Sequence, residues 1–312
     1  MIVDAGRPQP TAEHDHGPVV LAEDEWLARA AAHEGRVDAL VAGHLERARR
    51  GEPHPVEDFL FTYYSHRPAR LRRWHPGVGV VLQGPAAGAL LDRDHTRVTG
   101  GPAGRSSGAV AFDPVAFAAR RGDAVRHVRD LLTATARRPA NLGCFGMHEW
   151  AMVYRAGRDG VRHPAWPLRL GPEGTDAVAE AAQIRCSHHD AFRFFTPAAR
   201  PLNLLAPTRA DTVAMEQPGC LHATMDLYKW AYKLAPATPS ELVVDCFELA
   251  RDVRLLDMRA SPYDLRPLGH EPVRVETGEG RAEYVRAQRG FAERGAVLRA
   301  RLVDVCAALL SA

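Results

Sequence analysis

The chain carries no excess of charge, little cysteine and almost no lysine. Its 40 basic residues face 38 acidic ones, a net of +2. That excludes the broad positive field of a protein that coats nucleic acid and leaves only a local basic face open. All but two of the basic residues are arginine, the exceptions being Lys229 and Lys233. GC-rich coding accounts for this bias, so arginine content by itself marks no partner. The five cysteines, Cys144, Cys186, Cys220, Cys246 and Cys306, are widely spaced and form no CxxC pair. A disulfide framework and a cysteine-only zinc site are excluded, and mostly buried, reduced thiols are expected. No apolar run approaches the ~18 residues of a membrane-spanning helix. The opening MIVDAGRPQPTAEHDHGPVV lacks the basic start and apolar core of a secretory signal. A cytoplasmic protein with no membrane partner is the expectation.

What is present suffices for a folded domain. Hydrophobic residues make up 46% of the 312, which excludes disorder over most of the length and allows a sizeable core. Residues 1–20 read as a polar, flexible tail, and 21–312 as one mainly helical domain. Trp26, Leu27, Ala30, Val37, Leu40, Val41 and Leu45 recur at helical spacing up to the Gly51–Pro55 break. Residues 76–112 read as a small β-containing insertion of short strands and loops, with an exposed glycine-rich turn at 100–108. Asp113-Pro114 then predicts an N-capped helix to about Arg137. Thr238-Pro239-Ser240-Glu241 reads as a capping box opening a helix to about Met258. In that helix Leu242, Cys246, Leu249, Val253 and Leu256 face inward, and Asp245, Glu248 and Asp252 form a solvated stripe. A last helix near 281–310 buries Tyr284, Phe291, Leu298, Leu302 and Leu309 by the same rule.

The chemistry-bearing residues lie in the second half. Segment 219–234 is apolar around most of a helix, except for one stripe: His222, Asp226, Lys229 and Lys233. Residues four apart share a helix face. His222 and Asp226 are therefore predicted to face inward, toward His188 and Asp190, with Lys229 nearer the rim. His148 and Glu149 precede Trp150 in GCFGMHEWAMVYR. The HExxH zinc-protease pattern is absent, because Met152 stands four after His148. A buried Glu149 would require a partner. His188-His189-Asp190 adjoins Phe192, Phe194 and Phe195, a polar edge beside an aromatic cluster. Together His148, His188 and His222 with Glu149, Asp190 and Asp226 supply donors suited to Fe, Mn or Zn. His75-Pro76-Gly77-Val78-Gly79 has the look of a DNA-binding hairpin, with Asp92 and Asp94 beyond it. The following LQGPAAG breaks the helix such a hairpin needs.

The blocks GCFGMHEWAMVYR, RCSHHDAFRFFTPAARPLN, EQPGCLHATMDLYKWAYKL, DFLFTYYSHRP and MRASPYDLR make the chain resemble, from about Leu21 onward, an actinobacterial family commonly labelled 3-methyladenine DNA glycosylase. The resemblance implies a monofunctional hydrolase of DNA repair that removes alkylated purines, with damaged DNA as partner. A flipped base would be held by Trp150, Phe192, Phe194 and Tyr228, with Lys229 alongside. Glu149, Asp190 or Asp226 would serve as the catalytic carboxylate. The same resemblance favours His188 over His189 as the functional histidine. The residues themselves support a second expectation: a metal-dependent enzyme on a small metabolite, its Fe, Mn or Zn held by His148, His188 and His222 with Glu149 and Asp226.

Overall fold

Four long amphipathic stretches set the architecture, because each must bury its apolar stripe against another element. A computed structural model describes residues 17–98, 108–157 and 163–312. In chain order, β1 (Val19–Leu21) leads into α1 (Glu23–Arg50), α2 (Phe59–Thr62) and α3 (Pro68–Arg72). Then come β2 (Val80–Leu82), β3 (His95–Arg97), β4 (Val110–Phe112) and α4 (Pro114–Ala136). The rest is helical: α5 (Met147–Ala151), α6 (Gly171–Ala181), α7 (His189–Phe192), α8 (Thr212–Met215), α9 (Leu221–Lys233), α10 (Ser240–Ala260) and α11 (Gly278–Leu310). The protein is thus mainly α with a small four-stranded sheet. No described helix is long and apolar enough to cross a membrane.

The core lies where α9 packs on α10 and α11, and α11 in turn packs on α4. The expected inward faces are observed: Leu242, Cys246, Leu249, Val253 and Leu256 of α10 and Tyr284, Leu302 and Leu309 of α11 are buried. Phe291 and Leu298 are only half-buried. The sheet runs β1-β2-β4-β3, with β1 parallel to β2 and the other pairs antiparallel. Val19 and Val20, read from sequence as the end of a tail, pair with Val80 and Val81 instead. Residues 1–16 of that tail and 100–107 of the glycine-rich turn lie outside the described residues. A second apolar cluster of Leu21, Trp26, Trp74, Leu82 and Val110 joins the sheet to α1.

Two cap readings have different outcomes. Asp113 does cap α4, accepting from the Ala116 N–H at 2.8 Å with Pro114 at the first position. The capping box at Thr238–Glu241 does not form. Pro239 occupies the N-cap of α10. Ser240 Oγ accepts instead from the His75 N–H (2.8 Å), and Glu241 accepts from Trp74 Nε1 (2.7 Å). Side chains expected to close their own helix therefore bind the segment before the sheet onto α10. Gly77 and Gly79 have positive φ, but the chain continues as strand β2, so no DNA-binding hairpin is built there. The acidic stripe of α10 is partly exposed and bound by arginines: Arg36 on Asp245 and Glu248, Arg294 on Asp252, and Arg301 on Asp245.

Trp150 is fully buried. Its indole N–H donates to the Ala260 carbonyl at 2.9 Å, and the Arg169 guanidinium lies 5.1 Å from its ring while binding Glu276 through two 2.6 Å hydrogen bonds. Removing an indole from such a site leaves a cavity and an unsatisfied carbonyl. Trp150→Ala should therefore lower unfolding free energy by about 3–5 kcal/mol in a urea titration. A loss below about 1 kcal/mol would contradict its place in the core.

Candidate metal centre

Five segments deliver imidazole and carboxylate to one buried place. The loop before α5 turns through Phe145 and Gly146, both with positive φ (49° and 69°). A Cβ on Gly146 would touch the Tyr284 ring and Ala260 Cβ at 3.4–3.5 Å, so the turn is held tight against α11 and α10. This turn sends His148 inward from α5. His188 stands just before α7, on a strand-like segment clamped by Asn203, whose amide pairs with both the N–H and the carbonyl of Cys186 (2.7 and 2.9 Å). Residues four apart on α9 bring His222 and Asp226 to the same face. Glu216 follows α8, and Asp257 comes from the buried face of α10.

The rings of His148 and His222 meet edge to face at 4.5 Å, and those of His188 and His222 stack at 5.2 Å. Two triads result, His148–His222–Asp257 and His188–Glu216–Asp226, each with donor atoms within 4.8 Å of one another. Donors at ~2.1 Å from one tetrahedral ion stand about 3.4 Å apart. The widest separations would therefore close by roughly 1 Å on binding. His148 Nε2 lies 2.9 Å from Asp257 Oδ1, and His188 Nε2 lies 3.3 Å from Glu216 Oε1 and 3.5 Å from Asp226 Oδ2. Yet His148 Nε2, His188 Nε2 and Asp257 Oδ1 are buried without an aligned hydrogen bond. These nitrogens and oxygens are close, but not directed at one another.

Charge explains the protonation of the cluster. Four carboxylates are buried here: Glu149, Glu216, Asp226 and Asp257. Arg254 answers Glu149 (2.8 Å) and Asp257 (3.1 Å), and Lys229 answers Asp226. The remaining negative charge acts on the imidazoles. Burial alone would depress His148, but Asp257 outweighs it and lifts the ring well above its ordinary value. Burial of His188 is likewise outweighed by Asp226 and Glu216, which raise it to about 9. His222 is pushed well below its ordinary value, by burial and then by its two histidine neighbours. It stays neutral, with a lone pair to give. Burial would raise Asp226, but Lys229 and His188 hold it down. Tyr64 adds a hydroxyl donor to Asp226 Oδ1 at 3.0 Å.

The other expected site residues have different positions. Glu149 joins neither triad; its carboxylate is committed to Arg254. Asp190 is half-buried at the rim, 3.1 Å from Arg193 and 3.7 Å from Lys229. Lys229 is the counter-ion of Asp226 and rests over the Trp230 ring. Trp150 and Tyr228 are sealed in the core, Tyr228 among Tyr64, Tyr232 and Phe247. Phe192 packs on Phe195, and Phe194 lies under the Arg193 guanidinium. Four participants escaped the sequence reading: Tyr64, Glu216, Arg254 and Asp257. Asp257 carried a signal, since it stands four residues after Val253 on the inward stripe of α10.

No family model, no curated protein and no solved structure matches the chain. Function is therefore read from this geometry.

Arg254 is the most loaded cation of the site. It is buried, lies 4.0 Å from the Phe59 ring centre and serves two carboxylates. Arg254→Met leaves Glu149 and Asp257 short of a counter-charge in a dry interior. The expected loss of unfolding free energy is about 3–5 kcal/mol, read from a denaturant midpoint near neutral pH.

Proposed function

We propose that this protein is a metal-dependent enzyme acting on a small metabolite. Its transition-metal ion, Fe, Mn or Zn, would be held by His148, His222 and Asp257. The observation that carries the reading is the set of buried imidazole nitrogens and carboxylate oxygens that crowd together without aligned hydrogen bonds. Two histidines and one carboxylate form a donor set typical of non-haem iron and of zinc. Such an ion would supply Lewis acidity or a bound water of lowered pKa. The residues around it have separable tasks. Cys144 Sγ stands 3.9 Å from His148 Nδ1, which leaves Nε2 of that ring for the cluster. Arg254 holds Asp257 by its outer oxygen. His188, Glu216 and Asp226 form the adjoining triad, a second cation position or a proton-holding group beside the first.

Access is from one side. A cavity of about 10 Å³, lined by Cys144, Arg185, His222 and Tyr284 among others, touches His148 and His222; it has the room of a single water or ion. Arg185 also borders a larger cleft of about 560 Å³ with Phe145, Met147, Val178 and Val275 on its walls. An apolar body with an anionic end fits that lining. The purine-removing reading drawn from the resemblance has less support here: Trp150 and Tyr228 offer no exposed ring face, and Glu149 is tied to Arg254.

Protein purified without a histidine tag is expected to hold close to one equivalent of Fe, Mn or Zn by elemental analysis. His222→Ala and Asp257→Asn should each cut the retained metal at least about tenfold. Metal-free protein that no Fe(II), Mn(II) or Zn(II) reconstitutes would sink the reading. Release of 3-methyladenine from alkylated DNA by metal-stripped protein would replace it with the glycosylase.

A further inference from the structure

A cleft of about 510 Å³, with Tyr232 on its wall, is lined by none of the residues of the two triads. It lies between the α3 segment, the Asp92–Asp94 turn, α4 and the end of α9. Five cationic side chains border it, Arg70, Arg73, Arg93, Arg121 and Lys233, against two carboxylates, Asp92 and Asp94. The surplus of three positive charges in one cleft exceeds the +2 of the whole chain. Composition bias does not produce such a local excess, because acids and bases nearly cancel elsewhere.

The two carboxylates are already engaged. Asp92 accepts from the His95 ring at 2.9 Å and lies 3.5 Å from Arg73; Asp94 binds Arg93 and Arg120. Arg70, Arg121 and Lys233 have no carboxylate within ion-pair distance among the described residues. Arg121 and Lys233 rest against the rings of Phe117 and Trp230 instead. Burial, then the like charges of Lys229 and Arg121, lowers the affinity of Lys233 for its proton. One wall of the cleft is flat: the His66 ring stacks on Tyr232 at 4.5 Å and 14°. His66 and His75 are both held near 4, by burial and then by Arg70 and Arg73 respectively, so both are neutral at physiological pH. His75 Nδ1 is buried without a partner.

We infer that this cleft binds an organic phosphate, its phosphoryl group held among Arg70, Arg121 and Lys233 and a planar portion lying along the Tyr232–His66 wall. A phosphoryl group brings a charge near −2 and three strong acceptor oxygens. It matches three unpaired cations lining one cleft, whereas a carboxylate would satisfy only part of them. The size of the cleft is that of a small-molecule site. This inference is independent of the candidate metal centre, with which the cleft shares helices α9 and α10 but no side chain of either triad.

Titration calorimetry on the full chain, at about 50 mM salt to limit screening, tests it with phenyl phosphate, inorganic phosphate and benzoate. Phenyl phosphate is expected to bind at submillimolar concentration, inorganic phosphate more weakly, and benzoate at least about tenfold more weakly than phenyl phosphate. Arg121→Gln and Lys233→Gln should each weaken phenyl phosphate about tenfold. Neither side chain is part of the buried core, and metal content and thermal midpoint should stay unchanged. Arg29→Gln, in an exposed ion pair with Glu25 on α1, should leave binding as it was. Three results would overturn the inference: no phenyl phosphate binding at about 10 mM, benzoate binding as tight as phenyl phosphate, or binding that survives the Arg121→Gln/Lys233→Gln double change. Tight binding of a short DNA duplex that phenyl phosphate does not displace would also overturn it, in favour of nucleic acid.

Discussion

Four carboxylates in a dry interior are the constraint on which the rest of this structure depends. An isolated buried carboxylate costs several kcal/mol even after relaxation. Glu149, Glu216, Asp226 and Asp257 exist as a group only because Arg254, Lys229 and the imidazoles answer them. The helices that carry these residues are correspondingly the best buried of the fold. From Leu221 to Tyr228 every residue of α9 is buried, and Arg254 and Asp257 lie on the buried face of α10. The apolar packing of α9, α10 and α11 excludes water, and the charge network then has to balance within itself. A divalent cation on His148, His222 and Asp257 would take the place of the proton that His148 holds without it.

Around this network the irregular segments are fixed by paired clamps. Asn203 grips Cys186, and through it the approach to His188. The Gln217 side-chain Oε1 accepts from the N–H groups of both Asn141 and Gly219, and Gln288 donates to the Gly219 carbonyl. These bonds fasten the loop that carries Glu216 and the start of α9. Loops with no regular structure of their own thereby hold ligand-type side chains as firmly as a helix would. A polar cluster built this way is held in place by its surroundings and not by its own members alone.

The helical architecture was legible because it rests on periodicity, which survives in a single sequence. So was the inward stripe of α9, since His222 and Asp226 stood out on an otherwise apolar helix. The approach of His188 to that stripe was expected and is observed; the arrival of His148 was not legible, because it depends on how α5 docks. Glu216 and Asp257 were missed for a related reason: one follows a one-turn helix, and the other sits in an apolar run where Leu256 drew the eye. Glu149 was overread. Its type suited catalysis, but the identity of its neighbour decided its role, and Arg254 lies 105 positions away. The capping box at Thr238–Glu241 failed because Ser240 and Glu241 found longer-range partners in His75 and Trp74.

Helix α9 fixes a distance as well as a face. Asp226 of the second triad and Lys233 of the basic cleft lie on the same rigid rod, two turns apart, about 10 Å along its axis at 1.5 Å per residue. The helix acts as a ruler. A single residue inserted between them would lengthen it by only one step, but would turn one end about 100° relative to the other. Both ends are locked, Asp226 by Tyr64 and Lys229, and the far end by Tyr232, whose hydroxyl donates to the Tyr64 carbonyl at 2.6 Å. The spacing of the two regions is therefore quantised. Variation in this fold can change what each region holds, but the distance between them is set by the helical repeat.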